Sequence, residues 1–190
     1  IYFYQGTTLH KLIGALANVK PLVEKGIVYL EFSFIGLFED PTKVTKPVVD
    51  WSTWKKPTPT GEGRTSGFLL NGYAAEPLKL TLDVGQEVKF IETLTTAKVD
   101  ITARKATGNV SILAPELDVH NYFDDAKNSV TGLLTIQQGQ TAGLICTISC
   151  PKVQVKAPKY GDFEGQATLE MDLILIPTSA GNDEIKFTFT

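Results

Sequence analysis

Apolar and polar side chains alternate along most of this 190-residue chain. Near its end, Met171, Leu173 and Leu175 share one side of an extended segment, and the acidic residues 170 and 172 point the other way. Because side chains of a strand point alternately to opposite faces, this alternation is typical of half-buried β-strands. The pattern predicts strands at residues 1–5, 9–18, 27–38, 67–71, 77–84, 86–91, 97–104, 107–113, 130–137 and 142–150, and three more within residues 151–190.

The segments between these strands predict turns and a single helix. Turns are expected at residues 6–8, 24–26 and 138–140, and Gly139 provides a residue that tolerates a positive φ in a hairpin. The one plausible helix lies within residues 115–128 and is short. Many short strands with at most one short helix predict an all-β fold, an antiparallel β-sandwich or a barrel-like sheet.

The chain length suits a single domain, and we predict one β-domain over residues 1–190. It would consist of a strand meander at 1–38, a long Pro/Gly-rich loop or assembly arm at 39–66, and a main β-sandwich at 67–190. The apolar faces of the predicted strands define an expected core: Val28, Leu30, Phe32, Phe34, Leu80, Leu82, Ile148, Leu173 and Leu175.

Residues 39–66 interrupt the alternation with several prolines and glycines. Proline lacks the N–H that a strand ladder needs, and a connection of this length is usually functional or disordered. Trp51 and Trp54, together with Val48 and Val49, make the segment too apolar for a solvated linker. These four side chains either pack on their own domain or contact a neighbouring chain, and we take them as a candidate intersubunit contact.

Charge and hydropathy narrow the possible partners. The chain has 18 basic and 21 acidic side chains, a net charge of −3, which argues against strong electrostatic capture of nucleic acid. Its longest apolar runs have the length of a strand, so no membrane partner is expected. The strand pattern already runs at Ile1, without an initiator methionine, and we expect an N-terminal part of the full protein to be missing.

Cys146 and Cys150 lie four residues apart in a predicted strand. At about 3.3 Å per residue their Cα atoms would be about 13 Å apart, whereas a disulfide requires less than about 7 Å. Two ligands would not complete a structural zinc site either. The spacing therefore predicts two free, largely buried thiols.

A catalytic constellation is not recognisable in the sequence. Nothing close in sequence orients His10 or His120 as a base, and acidic pairs such as Asp124–Asp125 occur at element ends, where a solvated role is expected. Residues 61–67 are rich in glycine but match no phosphate-binding motif, and we interpret them as a flexible loop. We therefore expect no enzyme activity, no catalytic or metal-binding residues and no cofactor.

Three stretches carry a resemblance to a known family. VDITARKATGNVSILAP at 99–115, TGLLTIQQGQTAGLICTISCPKVQ at 131–154 and KYGDFEGQATLEMDLILIPTSAGNDEIKFTFT at 159–190 resemble the C-terminal half of phage tail tube (major tail) proteins. The opening, residues 1–41, is similar to the preceding segment of that family. The resemblance covers nearly the whole chain and consists of turn and strand patterns.

This resemblance implies a structural virion protein, made in the cytoplasm of a bacterial host and located in the virion tail. Its copies would self-associate into stacked rings, typically sixfold, contact other tail proteins and surround a lumen through which DNA passes without specific binding. An alternative is a non-catalytic binding module, carbohydrate-binding or adhesin-like. Its stacking platform would use the aromatic residues Trp51, Trp54, Tyr73, Tyr122 and Tyr160.

Overall fold

The computed structural model describes residues 1–24, 26 and 28–190, and over these it is almost entirely β-structure with one short helix. The all-β prediction is therefore confirmed. The elements are β1 (Tyr2–Gln5), β2 (Thr8–Glu24), β3 (Tyr29–Lys43), β4 (Thr65–Leu70), β5 (Pro77–Asp83), β6 (Gln86–Glu92), β7 (Ala97–Arg104), β8 (Thr107–Leu113), α1 (Tyr122–Lys127), β9 (Thr131–Gln138), β10 (Cys146–Phe163), β11 (Gln166–Leu175) and β12 (Lys186–Phe189).

Most of the strands belong to one large sheet. Its order is β1-β2-β5-β8-β11-β10-β9-β4, with β3 also paired to β2 and β12 also paired to β10. β6 and β7 form a separate two-stranded sheet. The pairings of defined register, such as β10 with β11 and β11 with β8, are antiparallel. This is the antiparallel all-β architecture that the alternation predicts.

The chain divides into two compact units. Unit 1 comprises Ile1–Val19, Phe32–Lys56 and Gly85–Arg104, and unit 2 comprises Lys20–Glu31, Pro57–Val84 and Lys105–Thr190. The long strands β2 and β3 contribute residues to both. The hydrophobic core lies in unit 2, on the inward faces of β5, β8, β9, β10 and β11.

The core residues predicted for the central strands are confirmed. Leu80, Leu82, Ile148, Leu173 and Leu175 are all buried. On β11 the alternation is nearly ideal, since residues 169, 171, 173 and 175 are buried while 170 and 172 are exposed. Here the strand is covered by its own chain, so the sequence period and the burial period coincide.

The prediction of a buried β3 is wrong for its aromatic residues. Phe32 and Phe34 are 49% and 48% exposed, and Val28 and Leu30 are half-buried. The alternation correctly identified an apolar face on β3, but nothing in unit 1 covers that face at Phe32 and Phe34. A period of two shows that a strand has an apolar face and does not show which molecule covers it.

Several strand ends differ from the predicted ones. β2 reaches Glu24 and β3 reaches Lys43, both well beyond the predicted ends. β10 continues past Pro158 because an irregularity between Lys156 and Lys159, with Ala157 at φ +47°, takes up the proline. The predicted turn at 24–26 and strand start at 27 involve Lys25 and Ile27, which lie outside the described residues.

The β9–β10 hairpin has the predicted glycine at its turn. Gly139 has φ +88°, and an added Cβ would collide with the backbone carbonyl of Leu144. Glycine is therefore required both for the positive φ and for the absence of a side chain. β10 begins at Cys146, later than the sequence predicted, because residues 141–144 form a further turn with Gly143 at φ +82°.

Both cysteines are free, as the spacing predicted, with Cys150 fully buried and Cys146 half-buried. Burial raises the pKa of the Cys150 thiol to about 12 and also raises the pKa of Cys146. The thiolate is the reactive form, so we expect Cys150 to resist a disulfide reagent at pH 8 in the native protein and to react once denaturant is added. Thiol titration in both states measures this. Rapid native reaction of Cys150 would contradict the packing described above.

Candidate functional site: an assembly surface

Unit 1 combines exposed apolar side chains with almost no core of its own. All of its residues are described, and Leu9 is its one buried hydrophobic residue. Most of the exposed large hydrophobic side chains of the described chain belong to this unit. Contiguous exposed apolar surface marks interaction sites in soluble proteins. Unit 1 is therefore the candidate functional site.

One part of this surface is the β3 aromatic face, formed by Phe32, Phe34 and Phe38 of β3 with Leu12 of β2. Phe32 and Phe34 stack with their ring centroids 5.8 Å apart, and Phe38 is 75% exposed. Phe32, Phe34 and Phe38 occupy even-numbered positions of one strand, so their side chains point to the same side of β3. The face is an extended, ordered stripe of aromatic side chains.

The stripe is continuous across Gly36, which lies between Phe34 and Phe38 on β3. A Cβ at Gly36 would collide with the Leu12 side chain, which therefore lies over the glycine. Leu12 fills the position between Phe34 and Phe38 that Gly36 leaves empty. The β3 aromatic face is thus continuous because a small residue on β3 is matched by a large one on β2.

An ion pair links β2 and β3 at odd-numbered positions of both strands. Lys11 Nζ lies 2.6 Å from Glu39 Oε1, and its hydrogen bond with Glu39 raises the pKa of Lys11. Both residues are odd-numbered, so they lie away from the even-numbered aromatic positions. The pair is half-buried and connects the two strands, and an ion pair this accessible to water contributes little to stability.

The β6–β7 hairpin adds a second amphipathic element to unit 1. Val88 is opposite Ile101, and Phe90 is opposite Val99, so one face is apolar. Phe90 is 50% exposed. On the other face, Lys89 lies opposite Asp100 in the strand register. An isolated two-stranded sheet is marginally stable in water, which makes this hairpin a further element in need of a partner.

The predicted intersubunit residues lie on a segment that we call the Trp arm, residues 44–56. Val48 is 98% exposed, Val49 49%, Trp51 60% and Trp54 71%. The indoles of Trp51 and Trp54 contact each other edge to face with centroids 4.7 Å apart. Their exposure suits a contact with another molecule, and that role stays a prediction.

The tip of the Trp arm is an ordered turn. Asp50 Oδ1 accepts a hydrogen bond from the backbone N–H of Ser52 at 2.8 Å. The backbone N–H of Trp54 donates to the Trp51 carbonyl at 3.1 Å. The first of these hydrogen bonds lowers the pKa of Asp50. Such an aspartate turn fixes the backbone locally and presents both indoles on one side.

The base of the long connection is anchored within unit 2. Gln138 Nε2 donates to the carbonyl of Thr58 at 2.9 Å and to that of Pro59 at 3.1 Å. The Thr60 hydroxyl donates to the Glu24 carbonyl at 2.6 Å. The predicted loop at 39–66 is therefore not one uniform arm, because β3 occupies its start and residues 58–60 are tied to unit 2.

The glycine-rich residues 61–67 form an ordered entry to β4, in contrast to the predicted flexible loop. The Arg64 and Thr65 N–H groups both donate to the carbonyl of Gly61, and the Thr65 hydroxyl donates to Gln138 Oε1 at 2.6 Å. These hydrogen bonds hold the turn against β9.

His120 has a partner that the sequence did not reveal. Its Nε2 lies 3.0 Å from Asp125 Oδ2, which also accepts a hydrogen bond from Asn71 Nδ2 at 3.2 Å. The prediction that nothing nearby orients His120, and that Asp124 and Asp125 are both solvated, is wrong for Asp125, whose side chain is 16% exposed. Helix α1 turns Asp125 back towards the residues before it, a juxtaposition that the strand-based analysis missed.

This polar group secures α1 on unit 2. The His120 ring stacks on Tyr73 with centroids 5.3 Å apart and lies 4.3 Å from Tyr122. Tyr122 is 1% exposed, and its hydroxyl donates to the Leu70 carbonyl at 3.3 Å; burial raises its pKa. A buried ring cannot stack on a glycan, so Tyr122 cannot belong to the stacking platform of the alternative binding module.

Residues 1–24, 26 and 28–190 include no group of three or more His, Cys, Asp or Glu side chains placed to hold a metal ion. In the same residues, no helix has the length and apolar character needed to span a membrane. No protein-family model matches the chain, and no curated protein sequence matches it.

Proposed function

We propose that the chain is a structural, non-catalytic subunit of a bacteriophage or prophage tail tube. One observation carries the proposal: unit 1 consists of strands with exposed aromatic faces and almost no core. A protein of this kind gains its function from what covers those faces. The family resemblance of residues 1–41, 99–115, 131–154 and 159–190 supplies the kind of assembly.

The energetics favour a binding partner as the cover, and the family resemblance makes that partner a copy of the same chain. Burying an apolar side chain such as Phe contributes about 1.5–3 kcal/mol. Phe32, Phe34 and Phe38 leave much of that contribution unrealised in the single chain. Association with a partner stabilises the folded state by mass action, so assembly would complete the folding of unit 1.

In the proposed tube, copies form stacked rings, sixfold as the resemblance implies, contact other tail proteins and leave a lumen for DNA. The β3 aromatic face and the Trp arm supply two different surfaces, which a head-to-tail ring requires. The net charge of −3 suits a conduit that DNA passes without specific binding.

Substitution of the stacked pair tests the proposal. Phe32→Ser with Phe34→Ser should abolish self-association in sedimentation velocity while leaving unit 2 folded, since neither ring belongs to its core. The matched control is Leu133→Ser, on a residue of unit 2 with comparable exposure, 39%. Assembly should persist in the control. Normal assembly of the Phe32/Phe34 variant would contradict the proposal.

A further inference from the structure

The Trp arm carries positive charge beside its exposed indoles. Lys46, Lys55 and Lys56 are all exposed, and Asp50 is the one acidic residue between positions 44 and 56. Residues 44–56 carry a net positive charge, so the rest of the chain is more acidic than the net charge of −3 of the whole chain. An arm of this composition fits an acidic surface with a cavity that can accept an indole.

Unit 2 contains such a cavity, of about 410 Å³, between the β4–β5 connection, the end of β8 and the start of β11. Its walls are held by backbone hydrogen bonds, from the Leu113 N–H to the Glu76 carbonyl and from the Ala114 N–H to the Ala167 carbonyl, each 3.0 Å. The lining includes Tyr73, Glu76, Leu113, Pro115, Gln166 and Ala167. The volume is within the range of ligand-binding clefts, and the lining is polar as well as apolar, which suits an indole ring with its polar N–H.

The segment that follows the cavity lining in sequence is acidic and apolar. Glu116 and Asp118 follow the lining residue Pro115, and between and after them Leu117 and Val119 are 57% and 59% exposed. The stretch from 106 to 126 contains four acidic residues and neither lysine nor arginine. Charge and hydropathy here are complementary to those of the Trp arm.

We propose that the Trp arm of one copy docks into this cavity on unit 2 of a second copy. Trp54, the more exposed indole, enters the cavity, and Lys55 and Lys56 meet Glu116 and Asp118. A tryptophan that fills a pocket inside a charged rim is the usual composition of an interface hot spot. The inference rests on the proposed function, because it names the contact through which copies of the chain join.

Charge exchange tests the contact. The arm variant carries Lys46→Glu, Lys55→Glu and Lys56→Glu, and the acceptor variant carries Glu76→Lys, Glu116→Lys and Asp118→Lys. Each variant alone should need about a tenfold higher concentration to associate, equivalent to about 1.4 kcal/mol. A one-to-one mixture should restore association, since each arm then meets an acceptor of opposite charge. Sedimentation velocity measures association, and far-UV circular dichroism verifies folding.

A third variant separates docking from bulk charge: Glu62→Lys, Glu170→Lys and Asp172→Lys, three exposed residues of unit 2 that do not line the cavity. It changes the net charge by as much as the acceptor variant but keeps the native arm and the native acceptor, so on its own it should associate at the wild-type concentration. An equal loss of association in this control, failure of the acceptor mixture, or undiminished association of the single variants would overturn the docking inference and leave the proposed function standing. A wild-type chain that stays monomeric at every concentration would overturn both.

Discussion

Leu173→Ala is expected to lower the free energy of unfolding of unit 2 by about 2–5 kcal/mol, the range for removing a large buried aliphatic side chain. Leu173 is 1% exposed in β11, opposite Val155 of β10 and Gly108 of β8. An added Cβ at Gly108 would lie 2.7 Å from Cδ2 of Leu82 and 3.6 Å from the Cβ of Leu173, so the Leu82 side chain already fills the space at this glycine beside Leu173. A dense neighbourhood relaxes little, and the cavity would remain.

Denaturant titration followed by far-UV circular dichroism measures this loss. The matched control is Leu133→Ala on β9, where the side chain is 39% exposed and the change should be much smaller. Both tryptophans lie in unit 1, so their fluorescence reports on that unit separately. An unchanged midpoint for Leu173→Ala would mean that the faces of β11 are reversed.

Replacing residues 45–56 with a Gly/Ser segment of equal length should abolish assembly and leave unit 2 within about 1 kcal/mol of its original stability. Loop-closure entropy changes slowly with length and composition, and the arm contributes no side chain to the core. A wider change, such as a deletion of residues 42–63, would not test the arm alone. It would also remove Thr60 and the carbonyls of Thr58 and Pro59, which are hydrogen-bonded within unit 2.

A narrower variant separates arm composition from arm shape. Trp51→Ser with Trp54→Ser keeps the Asp50 turn, and Asp50→Ala keeps both indoles while removing the turn. We expect the double tryptophan variant to match the full replacement and Asp50→Ala to weaken assembly partially, measured by sedimentation velocity. Unfolding of unit 2 on replacement of the arm would show instead that the indoles stabilise their own chain.

The sequence predicted the parts of the fold in which local pattern and global packing agree. On β5, β8 and β11 the same chain covers the apolar face, so alternation identified strand, face and core together. The free cysteines followed from strand geometry alone. Gly139 was recognisable because few residues tolerate its φ.

The remainder depended on information that local pattern does not contain. Phe32 and Phe34 alternate as core residues do, and period alone does not distinguish a face covered by the same chain from one left for a partner. The His120–Asp125 contact required the turn of α1. The Trp arm was recognisable from its prolines and indoles, whereas the anchoring of Thr58 and Pro59 through Gln138 depends on a contact distant in sequence.

Electron microscopy of the purified protein at high concentration tests the central claim most directly, namely that copies of this chain cover the apolar surface of unit 1. We expect rings or stacked tubes in which Phe32, Phe34 and Phe38 contact a neighbouring subunit. Particles that remain single chains, or assemblies in which the β3 aromatic face stays open to solvent, would contradict it.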